Sequence, residues 1–298
     1  MFDSVLVGVD GSANGRDAIA LAARLAGTQG KLMLAHVHRG EVAEELRDSH
    51  ELLERDRANA GVQAELISVV ASAPGRGLHQ QAEQLHADLL VVGSCSRGAL
   101  GRAMLGDDTR AALNGASCAV AVAPVGYAAH AAPFATVGVA YNGSPESIAA
   151  LAAAREIAAP TQARIRALEV ISVPSVAYTG IVPAALGESI DVLLDQARSR
   201  MAELADVEGS AVYGLAGEEL AKLGEDVDLL VVGSRGYGPV RRLVLGSTSE
   251  YLQRHARCPL LVLPRMQAGS PDASHSDVEA QEPAAALAGS SAAASDAA

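Results

Sequence analysis

The chain has 298 residues, 49% of them hydrophobic, with no Trp, only two Phe and a formal net charge of −12. That length suits about two domains, and their cores must be aliphatic, as in parallel strands covered by helices on both faces. The charge argues against a nucleic-acid partner, which needs a basic surface, and no run approaches the roughly 18 apolar residues of a membrane span.

From Met1-Phe2-Asp3-Ser4 the chain enters a strand at once, leaving no room for a signal peptide, so a cytoplasmic location is expected. Short aliphatic runs bounded by Gly, Pro and polar clusters place strands near 4–9, 31–38, 63–70, 89–93 and 119–123, with helical segments between them. Gly27 is read as the close of the first helix. His36 and His38 share one face of a strand but lack a Cys, His or acidic partner at ligand spacing, so packing is their expected role. Cys95 lies in the loop Gly93-Ser94-Cys95-Ser96-Arg97, where an oxidation-sensitive thiol is the alternative to a plain loop residue. Cys118 and Cys258 read as small buried apolar side chains, and three cysteines make no disulfide framework.

Residues 126–135 show no periodicity and read as a linker. Beyond them, strands are expected near 136–141, 164–172, 211–213, 229–233 and 260–263, and Ser144-Pro145-Glu146 opens a helix, with Ser as cap and Pro in the first turn. After Ala268 the chain is Ala, Ser, Gly and acid; five carboxylates and no Lys or Arg accompany only Val278 and Leu287 as larger apolar residues. Such a segment cannot bury enough surface to fold, and 267–298 is expected to be a disordered acidic tail.

The two halves repeat one another. Asp88-Leu89-Leu90-Val91-Val92-Gly93-Ser94 matches Asp228-Leu229-Leu230-Val231-Val232-Gly233-Ser234, Leu105-Gly106 matches Leu245-Gly246, and Val7-Gly8-Val9-Asp10-Gly11-Ser12 faces Val139-Ala140-Tyr141-Asn142-Gly143-Ser144. In the second half Gly233-Ser234-Arg235-Gly236 follows a buried strand, and Gly246 precedes the helix start Ser247-Thr248-Ser249-Glu250. Glycines bring backbone N–H groups close to a ligand and a helix N-terminus adds free donors, so the pair of segments suits an anion. The plain alternative is also open: Gly236 and Gly238 as turn residues, Gly246 as a spacer, and Ser247 or Thr248 as a helix cap.

These residues resemble the universal stress protein family in its tandem two-domain form, over roughly residues 1 to 266. Gly233, Gly236, Gly246 and Ser247 satisfy the family's nucleotide motif of glycine, two residues, glycine, nine residues, glycine and Ser or Thr. The resemblance implies two doubly wound, five-stranded parallel-sheet domains of the adenine-nucleotide alpha-hydrolase-like type, joined as a pseudo-dimer through their last strands. The implied domains are 1–126, with a degenerate motif, and 135–266, with an intact one. The resemblance implies ATP, possible Mg2+, and a regulatory stress-response role with an unknown protein partner and possible homodimerisation. The implied site is Ala140, Tyr141 and Asn142 at one strand end, with Asn142 beside the adenosine in place of the family's Asp, and Val170 contacting adenine through its backbone. Gly233 and Gly236, after Val232 at the strand end, approach ribose and α-phosphate, Gly246, Ser247 and Thr248 hold the outer phosphates, and Arg235 flanks the loop, able to screen them. Arg241 and Arg242 flank the loop, where solvated charge is the plain reading.

The first half departs from the motif: Ser96 replaces the second glycine, and Asp107 and Asp108 replace Ser247 and Thr248. A phosphate charge about 4 Å from such a carboxylate meets roughly 4 kcal/mol of repulsion at an effective dielectric near 20, so no ATP is expected there. A dedicated enzyme finds little support. Gly30-Lys31 lacks the rest of a P-loop, and neither a nucleophile elbow nor paired carboxylates are visible. ATP hydrolysis is expected to be slow at most; the alternatives are a slow ATPase and a nucleotide-independent protein-interaction scaffold.

Overall fold

The computed structural model describes residues 1–40, 43–94, 115–172, 184–234 and 246–264. Cys95, the degenerate loop with Ser96, Gly106, Asp107 and Asp108, the segment holding Arg235, Gly236, Gly238, Arg241 and Arg242, and the tail from 265 lie outside the described residues.

Ten strands form one sheet. In the first half these are β1 (Phe2–Gly8), β2 (Ala26–His38), β3 (Glu65–Val70), β4 (Leu89–Gly93) and β5 (Ala119–Ala123); in the second they are β6 (Thr136–Ala140), β7 (Arg164–Ser172), β8 (Glu208–Gly214), β9 (Leu229–Gly233) and β10 (Leu260–Leu263). The order is β3-β2-β1-β4-β5-β10-β9-β6-β7-β8. Pairing is parallel within each half and antiparallel only between β5 and β10, where Leu260, Leu261 and Val262 face Val122, Ala121 and Val120. The two last strands thus cover each other's edges, which would otherwise offer an aliphatic template for aggregation.

Alternation along each strand feeds two cores. Val5, Val7, Val91, Ala121, Val139, Leu229, Val231 and Leu261 pack on one face under α1 (Ala13–Leu25), α2 (Ala43–Ala60) and α4 (Pro145–Ala158). Leu6, Leu90, Val120, Leu230, Leu260 and Val262 pack on the other, under α3 (Pro74–Gln84), α6 (Ala216–Leu223) and α7 (Ser247–His255). The helix α5 (Ala184–Ala202) covers β7 and β8. Both cores run through the junction of the halves, so the seam is core and not surface.

The local signals hold at both first helices. Ser12 caps α1, its side chain accepting from Asn14 and Gly15 N–H, and Ser144 caps α4 ahead of Pro145, accepting from Ser147 N–H. Gly27 is a correction. The helix α1 ends at Leu25, and its cap, Ala26, is extended with φ −64° and ψ 139°. Residue 26 already pairs with Phe2 in the sheet, so the chain passes from helix to strand with no left-handed turn for a glycine to supply.

Residues 126–135 are more than a tether. Gly126 is left-handed (φ 82°), and a 3-10 turn, Tyr127–Ala129, follows it. The Asp17 carboxylate of α1, 2% exposed, accepts from Gly126 N–H at 2.8 Å and Ala128 N–H at 2.7 Å, while Arg24 donates to the Ala131 carbonyl at 3.3 Å. Asp17→Ala strands two backbone donors and should cost about 2 kcal/mol, a fall of about 4–8 °C in melting temperature by calorimetry. A shift below 2 °C would mean that the turn is held by something other than Asp17.

Cys118 and Cys258 are buried, 6% and 7% exposed, and desolvation pushes both thiols up to about 12. Native protein at neutral pH should leave both unmodified by iodoacetamide, whereas unfolded protein should react fully. Native labelling of either at the unfolded rate would contradict their burial. His36 and His38 fit the packing reading: their Nδ1 atoms lie 2.9 Å from the Val9 carbonyl and 2.8 Å from the Gly40 carbonyl.

Candidate functional site

In an open parallel sheet, ligands bind beyond the C-terminal ends of the strands where the winding reverses. In the second half that place lies between the adjacent strands β6 and β9, which are followed by α4 on one face and α7 on the other. A cleft of about 770 Å³ opens there, lined among others by Ala140, Tyr141, Asn142, Val170, Val232, Gly233, Gly246 and Thr248. Eight of the eleven residues expected from the sequence therefore meet at one cleft. Ser247 does not line it; as the first residue of α7 it is exposed. Arg235 and Gly236 lie outside the described residues.

Each wall has a local cause. The alternation of β7 sends Leu168 and Val170 into the cleft and the intervening Glu169 to the opposite face. The turn after β6 is a side-chain-braced one: Asn142 Oδ1 accepts from Ser144 N–H at 3.1 Å, as Asp10 Oδ1 accepts from Ser12 N–H at 3.0 Å in the first half. Asn in place of Asp keeps this brace. What it adds is the Nδ2 donor, where the first half keeps a carboxylate.

The phosphate-side wall is the start of α7. Its cap is Gly246, and no side chain caps the helix, which corrects the reading of Ser247 or Thr248 as a plain N-cap. The positive end of the helix dipole thus fronts the cleft. Beside it Ser234, 5% exposed, has a hydroxyl with no hydrogen-bond partner. Ser94, its repeat in the first half, shares that condition, so the orphan hydroxyl belongs to the fold as well as to the cleft.

Gly233 needs its lack of a side chain for packing. A Cβ there would lie 2.8 Å from both the Cβ and the carbonyl oxygen of Glu146 in α4, and one on Gly93 would collide with the Asn14 carbonyl in α1. The same glycine is demanded in the half that has lost the motif. Its presence alone therefore says little about a ligand.

Sequence reasoning passed over Pro145, Glu146, Ser147, Ala216, Leu220 and Ser249, all on the walls. The signal for the first three was at hand: a helix opening at Ser144-Pro145 directly after a strand must begin at the cleft. Glu146 adds an acidic side chain to the lining.

The corresponding cavity of the first half, lined by Gly8, Val9, Asp10, His36, Pro74, Leu78 and neighbouring residues, measures about 130 Å³. Leu78 lines it as Leu220 lines the second half's cleft, and a Cβ on Gly8 would lie 2.8 Å from Leu78 Cδ1. Ligand clefts usually measure about 300–1,000 Å³; of the two strand-end cavities among the described residues, the second half's is of that size.

A model described as the Universal stress protein family matches residues 1–124 and 133–264. A Thermus aquaticus universal stress protein is 32% identical over 143 residues, which span 44% of this chain and 98% of that protein. A Mycobacterium bovis universal stress protein is 31% identical over 186 residues, and the match covers 59% of this chain and 61% of that protein. Among solved structures, a universal stress protein from Archaeoglobus fulgidus matches the fold with a TM-score of 0.61 at 20% identity, covering 88% of this chain and 98% of that one.

Proposed function

The chain belongs to the universal stress protein family, and from that premise we propose that it binds one adenine nucleotide, ATP, in the cleft of its second half. Under this reading the protein is a regulatory stress-response module of the cytoplasm, with Mg2+ accompanying the phosphates and with hydrolysis slow at most. The working units are 1–126, 135–266 and an acidic tail, 267–298. A protein partner and a homodimer beyond the intrachain pairing belong to the proposal; with a net charge of −12 a nucleic acid does not.

The observation that carries the reading is the asymmetry of the two strand-end cavities. About 770 Å³ faces a helix start free of side-chain caps in one half, and about 130 Å³ is left in the other. In the proposed pose Asn142 lies beside the adenosine, the Val170 backbone meets adenine, Gly233 and Gly236 approach the ribose and α-phosphate, and Gly246, Ser247 and Thr248 meet the outer phosphates.

One observation favours a second reading, a nucleotide-independent scaffold: packing against Glu146 is enough to require Gly233. Mass spectrometry of the small molecules released from gently denatured protein separates the two. ATP or AMP at near-stoichiometric amount supports the first reading. A protein that carries no nucleotide and takes up neither ATP, AMP nor cyclic AMP on titration supports the scaffold.

A further inference from the structure

The turn that presents Asn142 to the cleft is held from behind. Gly143, at its centre, has φ +77°, a left-handed conformation, and the place of its missing Cβ lies 3.5 Å from Arg200 Cδ. The arginine stem of α5 therefore lies across the outer side of the turn. Its guanidinium continues to Glu169 in β7, with Nη2 at 2.6 Å from Oε1 and Nε at 3.2 Å from Oε2. Glu169 is 4% exposed, and a carboxylate so buried needs a charged partner. The two-point fork fixes the direction of the arginine as well as its charge.

The first half covers its turn differently. The place of the missing Cβ of Gly11, with φ +75°, lies 2.9 Å from Leu52 Cδ1 and 3.0 Å from Arg55 Nη2, and Arg55 pairs at 3.3 Å with Asp56, its own neighbour in α2. The pairings Gly8 with Ala35 and Ala140 with Leu168 put His36 where the second half has Glu169. Only in the second half is the covering arginine tied to a strand of the cleft. Glu169 sits between Leu168 and Val170, which line it.

We propose that Arg200, anchored on Glu169, is a positioning residue that locks the turn 141–143 against β7 and so sets the place of Asn142 relative to Val170. It touches no ligand. The inference deepens the nucleotide reading and rests on it for its effect on affinity, though the brace itself exists without ligand.

Two measurements test it, on the full chain. In nucleotide-free protein, Arg200→Lys keeps the charge but not the fork, and should speed amide hydrogen exchange at Asn142 and Gly143 about tenfold while Val139 stays protected. Glu169→Gln, which keeps shape but weakens the fork, should do the same and guards against a folding defect peculiar to one variant. With ATP, Arg200→Lys should weaken binding about tenfold. Combined with Asn142→Ala it should cost nothing beyond Asn142→Ala alone, because the brace acts through that residue. Unchanged exchange at 142–143 in both variants, or strictly additive affinity losses, would overturn the proposal. If the wild-type chain binds no nucleotide, the functional reading fails separately, and the exchange rates alone decide whether the brace exists.

Discussion

Calorimetric titration of the intact chain with ATP is expected to give one site per chain, and Gly246→Val is expected to remove it. The substitution is clean because Gly246 is extended, with φ −84° and ψ 166°, a conformation any residue adopts. Valine there brings no backbone strain but enters a buried position, so an unchanged melting temperature is the check that its effect is on access to the first amides of α7. Losing two charge-assisted bonds from backbone donors corresponds to about 3 kcal/mol, a weakening of about a hundredfold. The matching change Gly106→Val should leave binding intact. A stoichiometry near two, or ATP binding that survives Gly246→Val and fails with Gly106→Val, would reverse the assignment. Rebuilding the motif in the first half with Ser96→Gly, Asp107→Ser and Asp108→Thr removes the repulsive carboxylates but leaves the cavity at about 130 Å³. Those three changes are therefore expected to give no second site until Leu78→Ala is added. A second site without that change would mean that charge alone excluded the nucleotide.

Strand positions were legible because each β-segment is a short aliphatic run closed by Gly, Pro or a polar cluster, and hydrophobic runs of that kind report burial on both faces. Eight of the ten expected strands lie within about two residues of their observed spans; β2 starts at Ala26, ahead of the expected 31, and β8 is the weakest, expected at 211–213 and found at Glu208–Gly214. As an edge strand with a mostly exposed or half-buried pattern, its sequence, Glu-Gly-Ser-Ala-Val-Tyr-Gly, carries little hydrophobic signal. What the sequence left hidden depends on contacts between distant residues. Asp17 reads as an ordinary polar residue in a helix until residues 126–128 fold back onto it. Gly233 matches a ligand motif, yet its need for hydrogen in place of a side chain comes from Glu146, far along the chain. Glu169 looks like one of several polar residues in β7, and the packing of α5 gives it Arg200. Motif spacing thus located the cleft, whereas the partners that shape it required the fold.

The largest stability effect is expected at the seam. Ala121 is fully buried, paired with Val91 on one side and Leu261 on the other, and it belongs to the core under α1 and α4. Ala121→Asp would place a carboxylate among aliphatic side chains from both halves, with no cation in either flanking strand. The cost should be about 4 kcal/mol at neutral pH, within the range for an uncompensated buried charge. At about 2–4 °C per kcal/mol for a chain of this size, the melting temperature should fall by about 8–16 °C. Burial raises the pKa of such a carboxyl in the folded state, so the unfolded chain ionises first. The charge-dependent part of the loss is therefore small below about pH 4, the unfolded value, and grows as pH rises toward the folded one. Ala132→Asp, at an exposed position of the same chain, supplies the control and should shift the melting temperature little. Because the cores cross the junction, wild-type protein should unfold in a single calorimetric transition. A fall under 3 °C for Ala121→Asp, or two separate wild-type transitions, would mean that the halves are independent bodies that merely touch. The antiparallel pair β5 and β10 would then lose its place as the structural centre of the molecule.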